Sequence, residues 1–204
     1  MKTSVVLFVM LALFVGGCGG AKEMMKGSVS KDPVKTSGKK PDWVSDDITY
    51  KVEDGQMKFR TMSDNEADLS FAMKGLDGQA YNSLINIVKV RAGLEFDEAV
   101  KGSKYNSASI GQTRQSVVNA MGDVKFSGLV KEREYWEQYE KSEGMSGVSY
   151  IHTAYGLYSI PESEVARAKE AAWTKAKETA DSQADRDAKQ LLEEAKARFL
   201  GREK

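Results

Sequence analysis

The chain has 204 residues with 30 basic and 30 acidic side chains, so its formal net charge at pH 7 is zero. This balance excludes the broad basic field with which proteins hold nucleic acid, and we expect no nucleic-acid partner. Because Cys18 is the only cysteine, an intrachain disulfide is also excluded, and the fold must rest on its core.

The N-terminus has the pattern of a secretory signal peptide. Lys2 gives a positive start, residues 5–15 form an almost unbroken apolar run, and small residues follow before Cys18. The run is too short for a membrane-spanning helix, which takes about 20 apolar residues. We therefore predict that residues 1–17 are a signal peptide, which is removed on export.

The end of this segment resembles a bacterial lipobox, in which an apolar residue and two small residues precede a cysteine. The residues concerned are Val15, Gly16, Gly17 and Cys18. The resemblance implies lipid on Cys18, with several acyl chains that hold the protein durably on a membrane. Since Gly19 is not an aspartate, it also implies the outer membrane, with the domain facing the periplasm. An ordinary signal peptide with a chance cysteine is the alternative.

The stretch after the cysteine has the composition of a linker. Residues 18–40 are rich in glycine, serine, threonine and lysine and contain few large apolar side chains. Such a segment buries too little apolar surface to offset the entropy lost on ordering. We predict a lipidated, flexible tether over residues 18–40, followed by a folded domain over residues 41–180.

A hairpin is predicted at the start of this domain. Residues 48–53 and 56–62 are strand-like, and they flank Asp54 and Gly55, a pair that favours a tight turn. One long interrupted strand is the alternative. The residues expected on the inward face are Tyr50, Val52, Met57, Phe59 and Thr61.

The next predicted element is a helix over residues 64–90, with Ser63 or Asp64 as its cap. Its apolar residues recur at steps of three and four, which places them on one face. They are Leu69, Ala72, Met73, Leu76, Ala80, Leu84, Ile87 and Val88. Gly75 and Gly78 weaken the helix by about 1 kcal/mol each and suggest close packing on a sheet.

A polar loop over residues 101–111 and a helix over 112–121 are predicted before two further strands. These strands span residues 125–140 and 148–160, where aromatic and β-branched residues favour a pleated surface. The turn at residues 143–147 between them favours antiparallel pairing. The sequence therefore predicts an α+β fold, with a small antiparallel sheet packed against helices.

The last predicted element is a long helix from Glu162 to about Leu200, opened by Pro161. Its alanines recur mostly at four-residue steps, which drift by about 40° per step on a helix of 3.6 residues per turn. Either the stripe winds around the helix or the helix breaks near residues 181–187. We predict a C-terminal helical extension over residues 181–204, of which residues 188–204 project or pair with another subunit. A solvated, charged helix is the alternative.

The sequence contains few candidate catalytic or metal-binding side chains. His152 is the only histidine and Cys18 the only cysteine, so a zinc site has too few ligands. No phosphate-binding loop or nucleophile elbow is present, and we predict no catalytic residues, metal or cofactor. The densest aromatic cluster is the predicted interaction surface, and it consists of Tyr135, Trp136 and Tyr139. The tryptophans are otherwise interpreted as core residues.

Several features together resemble the Lpp-twenty lipoprotein family, whose relatives include flagellar outer-membrane lipoprotein P. They are the Pro-Asp-Trp-Val start at residues 41–44, the strand, turn and helix over 59–80, and residues 154–161 leading into a helix. The resemblance covers residues 41–175 and implies a compact α+β domain with a non-enzymatic role at the outer membrane. A longer stretch at residues 90–125 and the extended C-terminal helix depart from the family.

These patterns predict a membrane-anchored envelope lipoprotein with a structural or assembly role, associated with the outer membrane or the flagellum. Its expected partners are the membrane, through the lipid on Cys18, and envelope proteins or further copies of itself. The alternative is a peptidoglycan- or ligand-binding accessory lipoprotein of the periplasm. A hydrolase ranks last, because it needs a pocket with convergent carboxylates.

Overall fold

The computed structural model of the chain describes residues 28–46, 49–182 and 186–201. The predicted signal peptide, Cys18 and the beginning of the predicted tether lie outside the described residues. A five-stranded sheet packed with helices confirms the predicted α+β class. Among the described helices, none combines the length and apolar character that crossing a membrane requires.

All neighbouring strands of the sheet run antiparallel, in the order β1-β4-β5-β3-β2. The strands are β1 (Lys35–Thr36), β2 (Tyr50–Glu53), β3 (Gln56–Glu66), β4 (Val130–Ser142) and β5 (Val148–Pro161). The predicted pairing of the two long strands is confirmed, and a short helical turn at Gly144–Ser146 joins them. Strand β5 is the middle strand of the sheet, with β4 on one side of it and β3 on the other.

The hairpin of β2 and β3 has the turn that its sequence predicts. Asp54 and Gly55 both have positive φ, 52° and 71°, which suits the right-handed twist of the strands. Met57 and Phe59 are buried on the predicted face, and Val52, which pairs with Met57, points to the same side but is 51% exposed. The reason is that β2 is the edge strand of the sheet. Ile48, predicted to begin this strand, lies outside the described residues.

Four long helices pack on one side of the sheet, called here the helix face, and one short helix lies on the other. The helices are α1 (Asp42–Ser45), α2 (Leu69–Ala99), α3 (Ser107–Gly122), α4 (Glu162–Ser182) and α5 (Arg186–Phe199). The first half of α2 packs on β3 and β5, and its second half packs with α3, α4 and α5. One continuous core therefore joins the sheet to a helical bundle.

Helix α2 begins later than the sequence suggests. Its cap is Asp68, whose carboxylate accepts a hydrogen bond from the Ser70 N–H at 2.6 Å. Ser63 and Asp64, the predicted caps, still belong to β3, because the strand continues to Glu66 before the chain turns. Most of the predicted apolar face is confirmed as buried core, namely Ala72, Leu76, Ala80, Leu84, Ile87 and Val88.

The two glycines of α2 have different surroundings. A Cβ atom at Gly75 would lie 2.7 Å from the Ser63 hydroxyl oxygen, so only glycine lets the helix approach β3 this closely. A Cβ at Gly78 would have no neighbour within 4 Å. The predicted close packing is therefore confirmed at Gly75 and wrong at Gly78.

Helix α3 replaces part of the predicted loop over residues 101–111. It begins at Ser107 because the Asn106 side chain accepts a hydrogen bond from the Ser109 N–H at 2.8 Å. Asparagine is among the best residues at this position. The loop was therefore predicted several residues too long.

The C-terminal region forms two helices with the break inside the predicted interval. Ion pairs of Lys177 with Glu193 and of Asp181 with Lys189 show that α5 turns back along α4. The predicted projecting extension was wrong, since α5 presents an apolar stripe to the core. This stripe consists of Ala188, Leu191, Leu192, Ala195 and Phe199, all of which are buried.

The predicted tether is also partly wrong, because its described part lies along the edge of β4. The N–H groups of Ser30, Val34 and Ser37 donate to the carbonyl oxygens of Glu140, Gln138 and Trp136. The distances are 2.8, 2.8 and 3.1 Å. The physical reason is that an open strand edge can order a polar segment through its backbone. We call residues 28–46 the strap.

Candidate functional site

The most unusual group of polar side chains lies on the side of the sheet opposite the helices, called here the strap face. Side chains alternate along β4, so Tyr135, Glu137 and Tyr139 point to the same side. Tyr155 on β5 pairs with Tyr135 and joins them there. Glu137 is 1% exposed, which is unusual for a carboxylate and requires partners.

The partners of Glu137 are three tyrosine hydroxyls and one ammonium group. Tyr139 and Tyr155 donate to one carboxylate oxygen, at 2.7 and 3.2 Å. Tyr135 donates to the other at 3.3 Å, and the Lys40 ammonium lies 3.1 Å from that same oxygen. Each oxygen has two partners, so the acceptor capacity of the carboxylate is used.

Lys40 belongs to the strap, which crosses this face after leaving the edge of β4. Its ammonium also lies 5.7 Å from the centre of the Tyr155 ring, within the range of a cation–π contact. Further along the strap, Val44 of α1 is buried and its carbonyl oxygen accepts a hydrogen bond from the Arg60 guanidinium. The strap is thus held at the strand edge, at Lys40 and at α1.

The proton affinities follow from this arrangement. Burial by itself would raise the pKa of Glu137, but hydrogen bonds from Tyr139 and Lys40 outweigh it and hold the pKa below its usual value. Burial, followed by the charge of Glu137, raises the pKa of Tyr155 to about 12. Burial and the hydrogen bond to Glu137 raise the pKa of Tyr139 as well. At neutral pH the site is a carboxylate surrounded by protonated donors.

This protonation state favours holding over catalysis. A general base works best when its pKa lies near the working pH, whereas the pKa of Glu137 is moved away from it. The pKa values of Tyr139 and Tyr155 are raised away from neutrality, so these tyrosines are poor proton donors at neutral pH. The chemistry that the site supports is a charge-assisted attachment of the strap to the sheet.

The predicted interaction surface of Tyr135, Trp136 and Tyr139 does not exist as one surface. Tyr135 is buried and bonds to Glu137 together with Tyr139, whereas Trp136 points to the helix face. There the Trp136 ring lies 6.5 Å from the His152 ring. The reason for the correction is the strand itself, in which neighbouring residues face opposite sides of the sheet.

The other residues singled out from sequence have ordinary structural surroundings. His152 lies beside Gln138, with 3.1 Å between its Nε2 atom and the Gln138 amide nitrogen. Trp173 is buried and stacks on Phe199 at 4.8 Å, which confirms its core position. Trp43 is only half-buried, so its predicted core position was wrong.

Neither Lys40 nor Glu137, which form the ion pair at the centre of the site, was predicted as a site residue from the sequence. The Tyr-x-Glu-x-Tyr spacing at residues 135–139 is a signal that could have placed Glu137 between two aromatic residues on one face. Lys40 offers no such signal, because it is one of several lysines in a linker-like segment. Only the path of the strap brings it to the carboxylate.

Concavities in the described part of the chain are shallow. A groove of about 210 Å³ lies between the end of α2 and α5, near Val100, Leu191 and Arg198. Ligand pockets usually measure about 300–1,000 Å³ and enclose most of their ligand. Across residues 28–46, 49–182 and 186–201, no group of three or more histidine, cysteine, aspartate or glutamate side chains is placed to hold a metal.

Comparison with known proteins gives no match: no family model fits the chain, and no curated protein or solved structure is significantly similar to it. The resemblance to the Lpp-twenty lipoproteins therefore stays a prediction from the residues that suggested it.

Proposed function

We propose that this protein is a membrane-anchored envelope lipoprotein with a structural or assembly role, lipidated on Cys18 and facing the periplasm from the outer membrane. One observation carries the proposal: the strap, which begins ten residues after the predicted lipidation site, is bound to the sheet. The Lys40–Glu137 pair attaches it to the strap face, and backbone hydrogen bonds attach it to β4.

The distance along the chain makes this attachment mechanically relevant. Ser28 follows Cys18 by ten residues, a length that spans at most about 36 Å when fully extended. A force on the lipid would pass through this short stretch to the backbone hydrogen bonds of β4. The domain would then be held near the membrane by one defined edge of its sheet, which suits a protein that positions others.

The state of the strap face supports a structural role over a catalytic one. Every partner of Glu137 is a group that holds it, and its pKa is moved away from neutrality. On the helix side, Val90 and Leu94 lie one turn apart on α2 and are exposed. Apolar side chains on neighbouring turns can contact a partner, and they provide positions at which assembly can be probed.

The anchor is tested by expressing the full chain in a Gram-negative bacterium with labelled palmitate, beside the variant Cys18→Ser. We expect label on the wild-type chain and its recovery with outer membranes. The serine variant has no thiol to accept lipid and should be unlabelled and recovered in the soluble fraction. A wild-type chain that is unlabelled and soluble would refute the proposal.

The assembly role is tested by light scattering on the acylated protein in detergent and by a photo-cross-linker placed at position 94 in cells. We expect a defined oligomer or one cross-linked adduct of constant mass. A cross-linker at Lys74, on an earlier turn of α2, is the comparison for nonspecific contact. A monomer without specific adducts at either position would contradict an assembly role.

A further inference from the structure

The hairpin of β4 and β5 extends past the rest of the sheet. The last pair of β3 with β5 joins Glu66 to His152, whereas β4 and β5 stay paired as far as Ser142 and Val148. We call residues 139–151 the arm. Within the described chain, the arm is bordered on its outer edge by the first strap residues, where Val29 bridges to Lys141.

The arm carries apolar side chains that the core does not use. Val148 and Tyr150 are 55% and 48% exposed, and they are two residues apart on one strand, so they point to the same side. Val29 of the strap is exposed as well, but it bridges to Lys141 and therefore points to the other side of the sheet. Exposed apolar side chains that lie together can mark a surface that contacts a protein or a membrane.

The described part of the chain begins at this same end, at Ser28. The Ser28 carbonyl oxygen accepts a hydrogen bond from the Ser142 N–H at 2.8 Å, so the strap begins at the tip of the arm. Ten residues separate it from Cys18, which allows a reach of at most about 36 Å. The other end of β5, at Pro161, is 13 residues from Val148, or about 43 Å along the strand.

These lengths limit how the protein can sit on a membrane. An inverted orientation, with Pro161 at the bilayer, would need a longer connection than residues 18–27 provide. The tip of the arm, in contrast, contacts Ser28, the described residue nearest to Cys18 in sequence. Two carboxylates lie near the tip: Glu143 on the connecting turn, which is 3.0 Å from the Lys141 ammonium, and Glu140, which is paired with Tyr150 across the two strands.

We infer that the tip of the arm, through Val148 and Tyr150, rests in the headgroup region of the lipid bilayer that holds Cys18. This inference depends on the lipid anchor of the proposed function. Tyrosine suits such a position because its ring is apolar and its hydroxyl reaches water or headgroups, and valine adds apolar surface. The lipid surface is thus a second contact, which orients the domain.

The experiment uses the mature acylated chain in vesicles of phosphatidylethanolamine and phosphatidylglycerol. An environment-sensitive fluorophore is attached at Ser146→Cys, on the turn of the arm, because the thiol of Cys18 is consumed by acylation. A second protein carries the same label at Asp54→Cys, in the β2–β3 turn at the opposite end of the sheet. We expect a blue shift and quenching by nitroxide lipids at position 146, and neither effect at position 54.

A matched variant separates the effect of the apolar side chains from that of the label. In the Ser146→Cys protein, Val148→Ser together with Tyr150→Ser should abolish the blue shift and the quenching. Both side chains are exposed, so the melting temperature should stay close to that of the parent, and the protein should still float with vesicles. Circular dichroism of the labelled proteins checks that the fold is retained.

The outcomes are distinguishable. Equal, water-like emission at positions 146 and 54 in a protein that floats would overturn the arm contact and leave the lipid anchor intact. Self-quenching that rises with protein density, without quenching by nitroxide lipids, would overturn it in favour of a second copy. A wild-type chain that is not acylated and does not float would overturn the anchor and the arm contact together.

Discussion

The two sides of the sheet are closed by different means. The helix face is covered by four helices whose alanine, leucine and aromatic side chains form one apolar core. The strap face is covered by a segment of 19 residues, 28–46, held by backbone hydrogen bonds and by the network around Glu137. The difference teaches that stability and attachment can be altered separately: changes on the helix face should unfold the domain, and changes on the strap face should loosen the strap.

The largest effect is expected from Phe199→Ala on α5. Phe199 is buried between Trp173 and Phe96, at ring distances of 4.8 and 6.4 Å, so its removal leaves a cavity in the bundle. We expect a loss of about 3–5 kcal/mol in the free energy of unfolding, measured with urea. The control is Phe71→Ala, which removes a side chain that is 64% exposed on α2.

The control should change the free energy of unfolding by less than about 0.5 kcal/mol. Equal, small effects of the two substitutions would mean that α5 does not pack on the core in solution. Because α5 contributes Leu191 and Leu192 to this core, a chain cut before Arg186 should also lose its cooperative unfolding.

The next effect in size is expected on the strap face, from Glu137→Gln. The amide keeps the shape of the side chain but removes the charge that four donors share, and we expect a loss of about 2 kcal/mol. The matched control is Glu132→Gln, an exposed position on the same strand, for which we expect almost no change. A Glu137→Gln protein as stable as wild type would show that the hydrogen bonds around Glu137 do not stabilise the fold.

The contribution of Glu137 should depend on pH with a defined sign. Its pKa in the folded protein is below the ordinary value of 4.5, so its stabilisation is complete above that value and is lost as the pH falls through the lower, folded value. The difference in melting temperature between wild type and Glu137→Gln should therefore shrink in acid. A difference that is constant from neutral pH to well below 4.5 would contradict the charged state of Glu137.

A smaller effect is expected from Lys40→Met. The Lys40 side chain is 45% exposed, so solvent screens its attraction to Glu137, and three tyrosine hydroxyls remain on the carboxylate. We expect a loss of about 1 kcal/mol or less in global stability, but faster amide exchange in the strap. Lys39→Met, at the exposed neighbouring position, should change neither quantity.

The smallest effect is expected from Lys177→Met. Its ion pair with Glu193 joins α4 to α5, but the two side chains are 46% and 55% exposed. We expect a change of less than about 0.5 kcal/mol in unfolding free energy. A loss comparable with that of Phe199→Ala would show that charge pairs, and not the apolar stripe, hold α5 in place.

Periodic patterns explain what could be predicted of the fold. The hairpin at Asp54 and Gly55, the β4–β5 pair and the apolar face of α2 all follow from spacings within one element. The cap of α2 was misplaced because three polar residues, Ser63, Asp64 and Asp68, are each able to cap. Only the length of β3, which depends on its partner β5, decides among them.

The strap and α5 were missed for a different reason. The strap is held by backbone hydrogen bonds to β4. Every residue type can form such bonds, so amino-acid composition does not predict them. The stripe on α5 was visible as Leu191, Leu192 and Phe199, but its partners in the bundle come from distant parts of the chain. In the site, Lys40 and Glu137 are likewise 97 positions apart, so no local spacing links them.

The most direct test of the central claim is amide hydrogen exchange in the strap, measured on residues 18–204 with Cys18→Ser so that the chain is soluble. We predict that the amides of Ser30, Val34 and Ser37 exchange at least about tenfold more slowly than in an unstructured peptide, because β4 carbonyls accept their hydrogens. Glu137→Gln should speed exchange at Ser37 while leaving the α2 core protected. Strap amides that exchange at the rates of an unstructured peptide would contradict a chain that is built into the sheet.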